Sequence, residues 1–415
     1  MRDREYSAFM LLNAPGFGVK SIYYVYDKLK KNGLTVNDLF EAGQKQISDF
    51  LPELGQGKFS RASLGSLYSL DDDRLYSNYL QLKHEQIHLI GLDDERYPKS
   101  IIQRLGDSAP PVLFCKGNLE LLNTHGVSIV GSRDVSDFAV LLTKRIANRL
   151  ADCGFNVTSG LAKGVDTSAH VGALESGGTT TMILSYGFNH LSIKREIKEH
   201  NWERNTLFIS QFMPYEKFSG QNAMARNKLV CALSSAVIVI SSGPERDSNG
   251  KMSGTFDAGL TTLKYKIPLF VLNPELLKPN PPQGNYDLIQ LGGILLSNGN
   301  ELVQHLDILS QNPSSHSKEV EVQLETPSQS SLVSEPLHEY YHTQLTDVKD
   351  KILSAFNGKP LSIQEILKAT GLDWTPKKLT PYLKKLPELE IVKNGRNNLY
   401  KRKQSSHQGQ TTLFS

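Results

Sequence analysis

Cysteine is scarce in this chain: 3 in 415 residues, at Cys115, Cys153 and Cys231. Their separations match no zinc or redox spacing, which excludes a metal ribbon and a disulfide framework. All lie in or beside apolar runs, so buried free thiols in a reducing cytoplasm are expected. Long apolar runs are lacking too. The longest are of strand length, so no membrane partner is expected, and Met1–Glu5 has no apolar signal core. Charge of one sign is also missing. The 46 Lys and Arg against 43 Asp and Glu leave a net +3, which speaks for nucleic acid only if the basic residues cluster. There is no long internal repeat. No nucleophile, base and orienting acid gather at one place, so no catalytic residue, metal or cofactor is expected and the chain reads as a non-enzyme.

What is present is a series of strand ends. At 415 residues the chain has room for two to three domains of about 150 residues each. Val127-Ser-Ile-Val130 is a buried-type β run that stops at Gly131-Ser132-Arg133. Gly131 permits a tight turn, and the helix that follows aims its free N–H groups at the crevice. Arg133 adds a planar fork suited to phosphate. The Gly-x-Gly-x-x-Gly spacing of a dinucleotide site is absent, and no acidic residue closes the next strand, Phe155–Gly160. Asp137 to Asp152 sets Phe138, Leu141, Leu142, Ile146, Arg149 and Leu150 on one helical face, making a strand-helix-strand unit with parallel strands.

The second strand ends in Ser159-Gly160-Leu-Ala-Lys163-Gly-Val-Asp166, then Thr167-Ser-Ala-His170. Lys163 between two glycines can approach an anion, and equally suits a solvated loop. Asp166 or Thr167 is expected to cap the next helix. His170 is expected to pack or cap rather than act as a base. A third corner begins at Arg226-Asn227-Lys228 on a helical run, followed by the wholly apolar strand Ala236–Ile240 and by Ser253-Gly254-Thr255 before another helix. Gly250-Lys251-Met252-Ser253 fails as a Walker loop because Met252 precedes the hydroxyl residue. Three Gly-rich or basic strand ends converging on one edge point to a Rossmann-like, doubly wound, mostly parallel α/β sheet with its ligand at that edge.

These residues resemble the DNA-processing protein A family, also called Smf, whose members bind single-stranded DNA in bacteria. The resemblance runs from Asp94-Glu-Arg-Tyr-Pro98 through Ala109–Phe114, Lys116-Gly117, Ser128–Arg133, Ser159–His170, Ala225–Lys228 and Ser253–Thr255 to Gly284-Asn285. It implies a homodimer that protects single strands and hands them to a recombinase, with roles in DNA uptake and recombination. The site it implies comprises Gly131, Ser132, Arg133, Ser159, Gly160, Lys163, Arg226, Asn227, Lys228, Ser253 and Gly254. Departures are visible. Ser241-Ser242 and a longer polar insertion replace the usual Glu-Ala. Lys228 stands where Arg is usual, Gln211 where Glu is usual, and Leu191-Ser-Ile193 where Tyr-Pro is usual. They allow a specialised mobile-element or anti-phage (antiviral defence) variant with a neighbouring toxin as partner. The alternative is a nucleotide sensor or nucleotide N-glycosidase on a related fold, with Asp257 near the place of that enzyme's glutamate.

The flanks extend the same theme. Leu11–Gly18 resembles the hairpin of a helix-hairpin-helix element within a helical (SAM-like) domain over 1–80, which leaves 81–309 to the Rossmann-like domain. Residues 310–344 are polar, aperiodic and read as a flexible linker. Over 345–403, helices at Val348–Phe356 and Ser362–Thr370 are expected, the second with a Ser362/Glu365 capping box. Thr375–Leu386 is expected as a third, kinked at Pro381 or starting later. An Asn394-Gly395 hairpin completes a winged helix, with Lys377, Lys378, Lys384, Lys385, Lys393 and Arg396 as its positive face. The tail 404–415 is expected to be disordered. Its Gln410, Leu413 and Phe414 resemble the short peptide that docks on the sliding clamp; the alternative is that Leu413 and Phe414 pack back on the winged helix.

Overall fold

The structure is a computed structural model that describes residues 3–298 except 43, 71 and 201, residue 302, and 349–403 except 358, 372–378, 381–382, 384–385, 387 and 395–396. The chain divides into two compact units, Met1–Glu321 and Val322–Ser415. The first begins with helices α1 (Arg4–Asn13), α2 (Val19–Lys31) and α3 (Asp72–His84), with shorter helical turns between the last two. Strands β1 (His88–Gly91), β2 (Val112–Gly117) and β3 (Gly126–Val130) follow. Then come α4 (Asp137–Asp152), β4 (Asn156–Gly160), α5 (Val165–Glu175), β5 (Thr180–Ile183) and β6 (Thr206–Ser210). The last part holds α6 (Gly220–Ala232), β7 (Ser234–Val239), α7 (Gly254–Lys264), β8 (Leu269–Leu272), α8 (Gln283–Gln290) and β9 (Ile294–Leu296).

The nine strands form one sheet in the order β1-β2-β6-β5-β4-β3-β7-β8-β9. The pairs β1–β2 and β2–β6 are antiparallel and the rest parallel. From β3 the chain first moves outward through β4, β5 and β6. It then crosses back to the other side of β3 for β7, β8 and β9. Winding reverses at the carboxyl end of β3, and the connections leaving β3 and β7 part there to open a crevice.

Period-two alternation divides the core between the two faces of the sheet. Phe114, Met182 and Phe208 turn to one face, where they join Tyr6, Phe9, Leu11, Leu29 and Tyr79 of the amino-terminal helices. Leu113, Cys115, Ile183, Leu207 and Ile209 turn to the other, against Leu229, Val230 and Phe256. The amino-terminal helices therefore share a core with the sheet, so the boundary expected at residue 80 does not separate two cores. Between α1 and α2 the chain turns at Gly16, φ +83°. The Gly18 N–H donates to Ser21 Oγ at 2.8 Å.

Three local expectations are corrected. Gly164, not Asp166 or Thr167, caps α5, with φ +82°. The loop arrives in a conformation only glycine adopts without strain, and a Cβ there would fall 2.5 Å from the Arg133 carbonyl oxygen. Cys115 and Cys231 are buried, but Cys153 is exposed because it sits at the carboxyl cap of α4. On α4 itself the buried face is Ala139, Leu142, Thr143, Ile146, Ala147 and Leu150, and Arg149 points to solvent.

In the second unit α9 (Ile363–Thr370) starts at the expected capping box and ends on Gly371 in the left-handed region. Strands β10 (Leu389–Asn394) and β11 (Asn397–Arg402) pair antiparallel, and Leu361 bridges to Tyr400 alongside them. Ile352, Phe356, Ile366, Leu379, Leu383 and Tyr400 make its core. Most of the expected helix Thr375–Leu386, the linker 310–344, and the tail with Gln410, Leu413 and Phe414 lie outside the described residues.

Candidate nucleic-acid interface

Arg133, Leu161, Ala162, Lys163, Ser185, Tyr186, Phe218 and Arg226 line a pocket of about 280 Å³. They come from the loops after β3, β4, β5 and β6 and from α6, so four consecutive parallel strand ends meet at the switch point. Arg133 and Lys163 are exposed, and the Arg133 guanidinium carbon lies 5.6 Å from the centre of the Phe218 ring. That stacking holds the fork over the pocket mouth without spending its N–H donors.

Arg226 plays a different part from the one its sequence position suggested. It is only 6% exposed, and its Nη1 lies 3.4 Å from Oδ2 of Asp166, itself 6% exposed. Its Nε is buried without a hydrogen-bond partner. The guanidinium occupies the space that a side chain at residue 160 would fill: a Cβ on Gly160 would lie 1.2 Å from Arg226 Nη1. Gly160 thus makes room for a buried cation beneath the pocket, and Asp166 compensates that charge.

Several serines of the implied site are committed inside the protein. Ser132 N–H and hydroxyl both donate to the Ser241 carbonyl at 2.9 Å, tying the end of β3 to the end of β7. The Ser159 hydroxyl donates to the Ile129 carbonyl at 2.6 Å. Ser253 Oγ accepts from Phe256 N–H as the cap of α7. Asn227 Nδ2 donates to the Gly254 carbonyl at 2.9 Å and joins α6 to α7. Lys228 is exposed and acts on Asp257 at the start of α7, outside the pocket lining. Gly131 lies close under Val165 of α5, where a Cβ would approach to 2.5 Å. The sequence-read set therefore splits into exposed cations and a frame that positions them.

Other residues complete the frame, and of these Lys194 gave no sequence signal. Lys194 Nζ donates to the Ala162 carbonyl at 2.9 Å and also contacts the Thr167 hydroxyl, which braces the loop that carries Lys163. Burial lowers the Lys194 pKa from its usual value. Asn285 is fully buried. It accepts from Ser242 N–H at 2.8 Å and donates to the carbonyls of Ile240 and Leu272, which fixes the ends of β7 and β8. His170 packs as expected: both ring nitrogens are engaged, by Thr180 and the Gly160 carbonyl, and burial lowers its pKa to about 4. The insertion after β7 forms an exposed turn in which Arg246 bridges Met252 and Asp247 Oδ1 accepts from the N–H groups of Asn249 and Lys251. Among the described residues no His, Cys, Asp and Glu cluster could hold a metal, and no helix is long and apolar enough to cross a membrane.

A Rossmann-like α/β sheet with a cation-lined crevice at its switch point defines a class of proteins that bind phosphate-bearing ligands at strand ends. Within that class, the family described as DNA recombination-mediator protein A matches residues 88–307, and this chain belongs to it. The DNA processing protein DprA of Streptococcus pneumoniae is 26% identical over 294 residues, covering 69% of this chain and 98% of that one. Its X-ray structure superposes with a TM-score of 0.51 over 68% of this chain and 97% of that chain. A structure of DNA processing protein A from Helicobacter pylori, described for its single-stranded DNA binding mode, is 28% identical. It covers 53% of this chain and 96% of that chain, with a TM-score of 0.44.

Proposed function

We propose that this chain binds single-stranded DNA in the crevice at the carboxyl end of β3, as a mediator of recombination. The observation that carries the proposal is the placing of Arg133 against Phe218 at the mouth of a pocket that also holds Lys163 and Arg226. Cations neutralise phosphates whatever the sequence, and an exposed aromatic face takes an unpaired base, which a duplex does not offer. Arg133 and Lys163 are the phosphate contacts, with Lys228 at the rim. Arg226, paired with Asp166, forms the pocket floor, and Gly131, Ser132, Ser159, Gly160, Asn227, Ser253 and Gly254 hold the frame. The chain acts by binding, without catalysis, in the cytoplasm. It works as a homodimer that passes the strand to a recombinase. The Arg133→Ala/Lys163→Ala variant, both positions being exposed, is expected to keep its fold and lose single-strand affinity in an anisotropy titration. Unchanged affinity refutes the site.

The other segments fit around this activity. The α1–α2 turn is a helix-hairpin-helix-like backbone contact. The second unit is a winged helix whose hairpin presents Lys393 to duplex DNA or to a partner protein. Ser241-Ser242 and the exposed turn 243–253 mark a specialised variant, whose partner in an anti-phage locus is a neighbouring toxin. Gln410, Leu413 and Phe414 form a clamp-docking peptide. A second reading has one observation in its favour. Asp257 Oδ2 is buried without a hydrogen-bond partner, and burial raises the pKa of that carboxyl, as a glycosidic acid would require. Release of free base from a nucleoside monophosphate, abolished by Asp257→Asn, is the outcome that would favour it.

A further inference from the structure

The loop between β6 and α6 carries two large aromatic rings in solvent. Tyr215 is 64% exposed and Phe218 is 52% exposed, with exposed Lys217 between them. Isolated exposed aromatics are ordinary, but this loop is built to hold its own. Gly187 N–H donates to the Glu216 carbonyl at 2.8 Å, and Asn189 N–H to the Pro214 carbonyl at 3.0 Å. Glu216 N–H closes a turn onto the Met213 carbonyl at 2.9 Å, while the Glu216 side chain accepts from Met213 N–H. His190 Nε2 lies 3.0 Å from the Tyr215 carbonyl itself. Backbone and neighbouring loop thus fix residues 213–216 while the Tyr215 ring stays out in water.

We infer that Tyr215 is a second stacking position, which takes a base within a few nucleotides of the one held in the Arg133–Phe218 pocket. This rests on the single-strand reading above and extends it from one nucleotide to a track. Three residues span at most about 10 Å of chain, or about three base rises of ~3.4 Å, so the Tyr215 backbone is within a few nucleotides of the Phe218 pocket. A ring on a rigid loop loses only its two side-chain torsions when a base stacks on it. Stacking is indifferent to base identity, which matches a site whose phosphate contacts are equally indifferent.

The test uses the full-length protein and oligothymidylate of about 12 nucleotides, a length within the usual range for such sites. Tyr215→Ala is expected to bind roughly tenfold or more weakly, and Tyr215→Phe within about twofold of the wild type, because the ring and not the hydroxyl makes the contact. The salt slope of Tyr215→Ala should match that of the wild type, since no phosphate contact is removed. At least one abasic position that weakens wild-type binding should leave Tyr215→Ala unaffected. Equal affinity of Tyr215→Ala and wild type, with Arg133→Ala/Lys163→Ala still weakened, overturns this inference and leaves the single-strand reading standing. Absence of single-strand binding by the wild type removes both. A Tyr215→Ala defect that persists on a wholly abasic strand shows a backbone contact and also refutes stacking.

Discussion

The ion pair beneath the pocket gives the sharpest energetic prediction. Asp166→Asn keeps the shape of the side chain and its acceptor for the Ala162 N–H, but removes the charge opposite Arg226. Taking one partner from a buried pair costs about 3–5 kcal/mol, because the other charge is left uncompensated. Here both side chains are more than nine-tenths buried, so solvent screens little. The contact is single and long at 3.4 Å, which places the cost near the lower end, about 3 kcal/mol. Arg226→Met leaves Asp166 as the stranded charge and should cost a similar amount. The double variant should lose far less than the two losses added, since it buries no lone charge. Urea unfolding followed by Trp202 fluorescence reads this directly, because the Trp202 ring packs edge-on against Phe208 of β6. Trp374→Phe removes the other tryptophan of the chain. A loss under about 1 kcal/mol in either single variant, or strict additivity in the double, refutes the account of Arg226 as a compensated buried cation.

Two further outcomes are expected. His170 has its folded pKa lowered by burial to about 4, below the ~6.5 of an unfolded chain. Between these values the unfolded state binds a proton that the folded state refuses, so this group's contribution falls as pH drops from about 6.5 towards 4, by at most about 3 kcal/mol. Urea midpoints measured across that window should flatten in His170→Gln, and equal slopes in both proteins contradict the assignment. From the polar composition of 310–344, limited proteolysis should release a core ending near Leu309 and a fragment starting near Leu345. The core should keep most single-strand affinity, and its complete loss would move the main site to the carboxyl unit.

The sheet was legible because its signals are local. The apolar runs Val127–Val130 and Ala236–Ile240 and the Ser159-Gly160 strand end mark β3, β7 and β4 in the sequence, and 3.6-periodicity marks the helix Asp137–Asp152. The exposed cations Arg133 and Lys163 were legible for the same reason: each follows directly on a strand end. The buried cation was not. Arg226 was placed at the site from its motif, but its exposure depends on Gly160 and Asp166, which are 66 and 60 positions away, and no periodicity encodes that distance. Lys194 and Phe218 were missed because each acts through a partner brought near only by the crossover, and Asn285 was seen in its motif but not as the residue that ties the ends of β7 and β8. The Gly164 cap escaped because acidic and hydroxyl residues right after it carry the stronger capping propensity. Cys153 was misplaced because an apolar flank does not say which side of a helix end faces water.

Salt dependence of single-strand binding tests the central claim most directly. With Arg133 and Lys163 neutralising one phosphate each, the slope of log affinity against log salt should fall in magnitude by about 1.4 in Arg133→Ala/Lys163→Ala, at ~0.7 per phosphate on single strands. Affinity at low salt should fall with it, and the urea midpoint should stay in place. A double variant with the wild-type slope and wild-type affinity would show that the strand does not lie in the crevice at the end of β3.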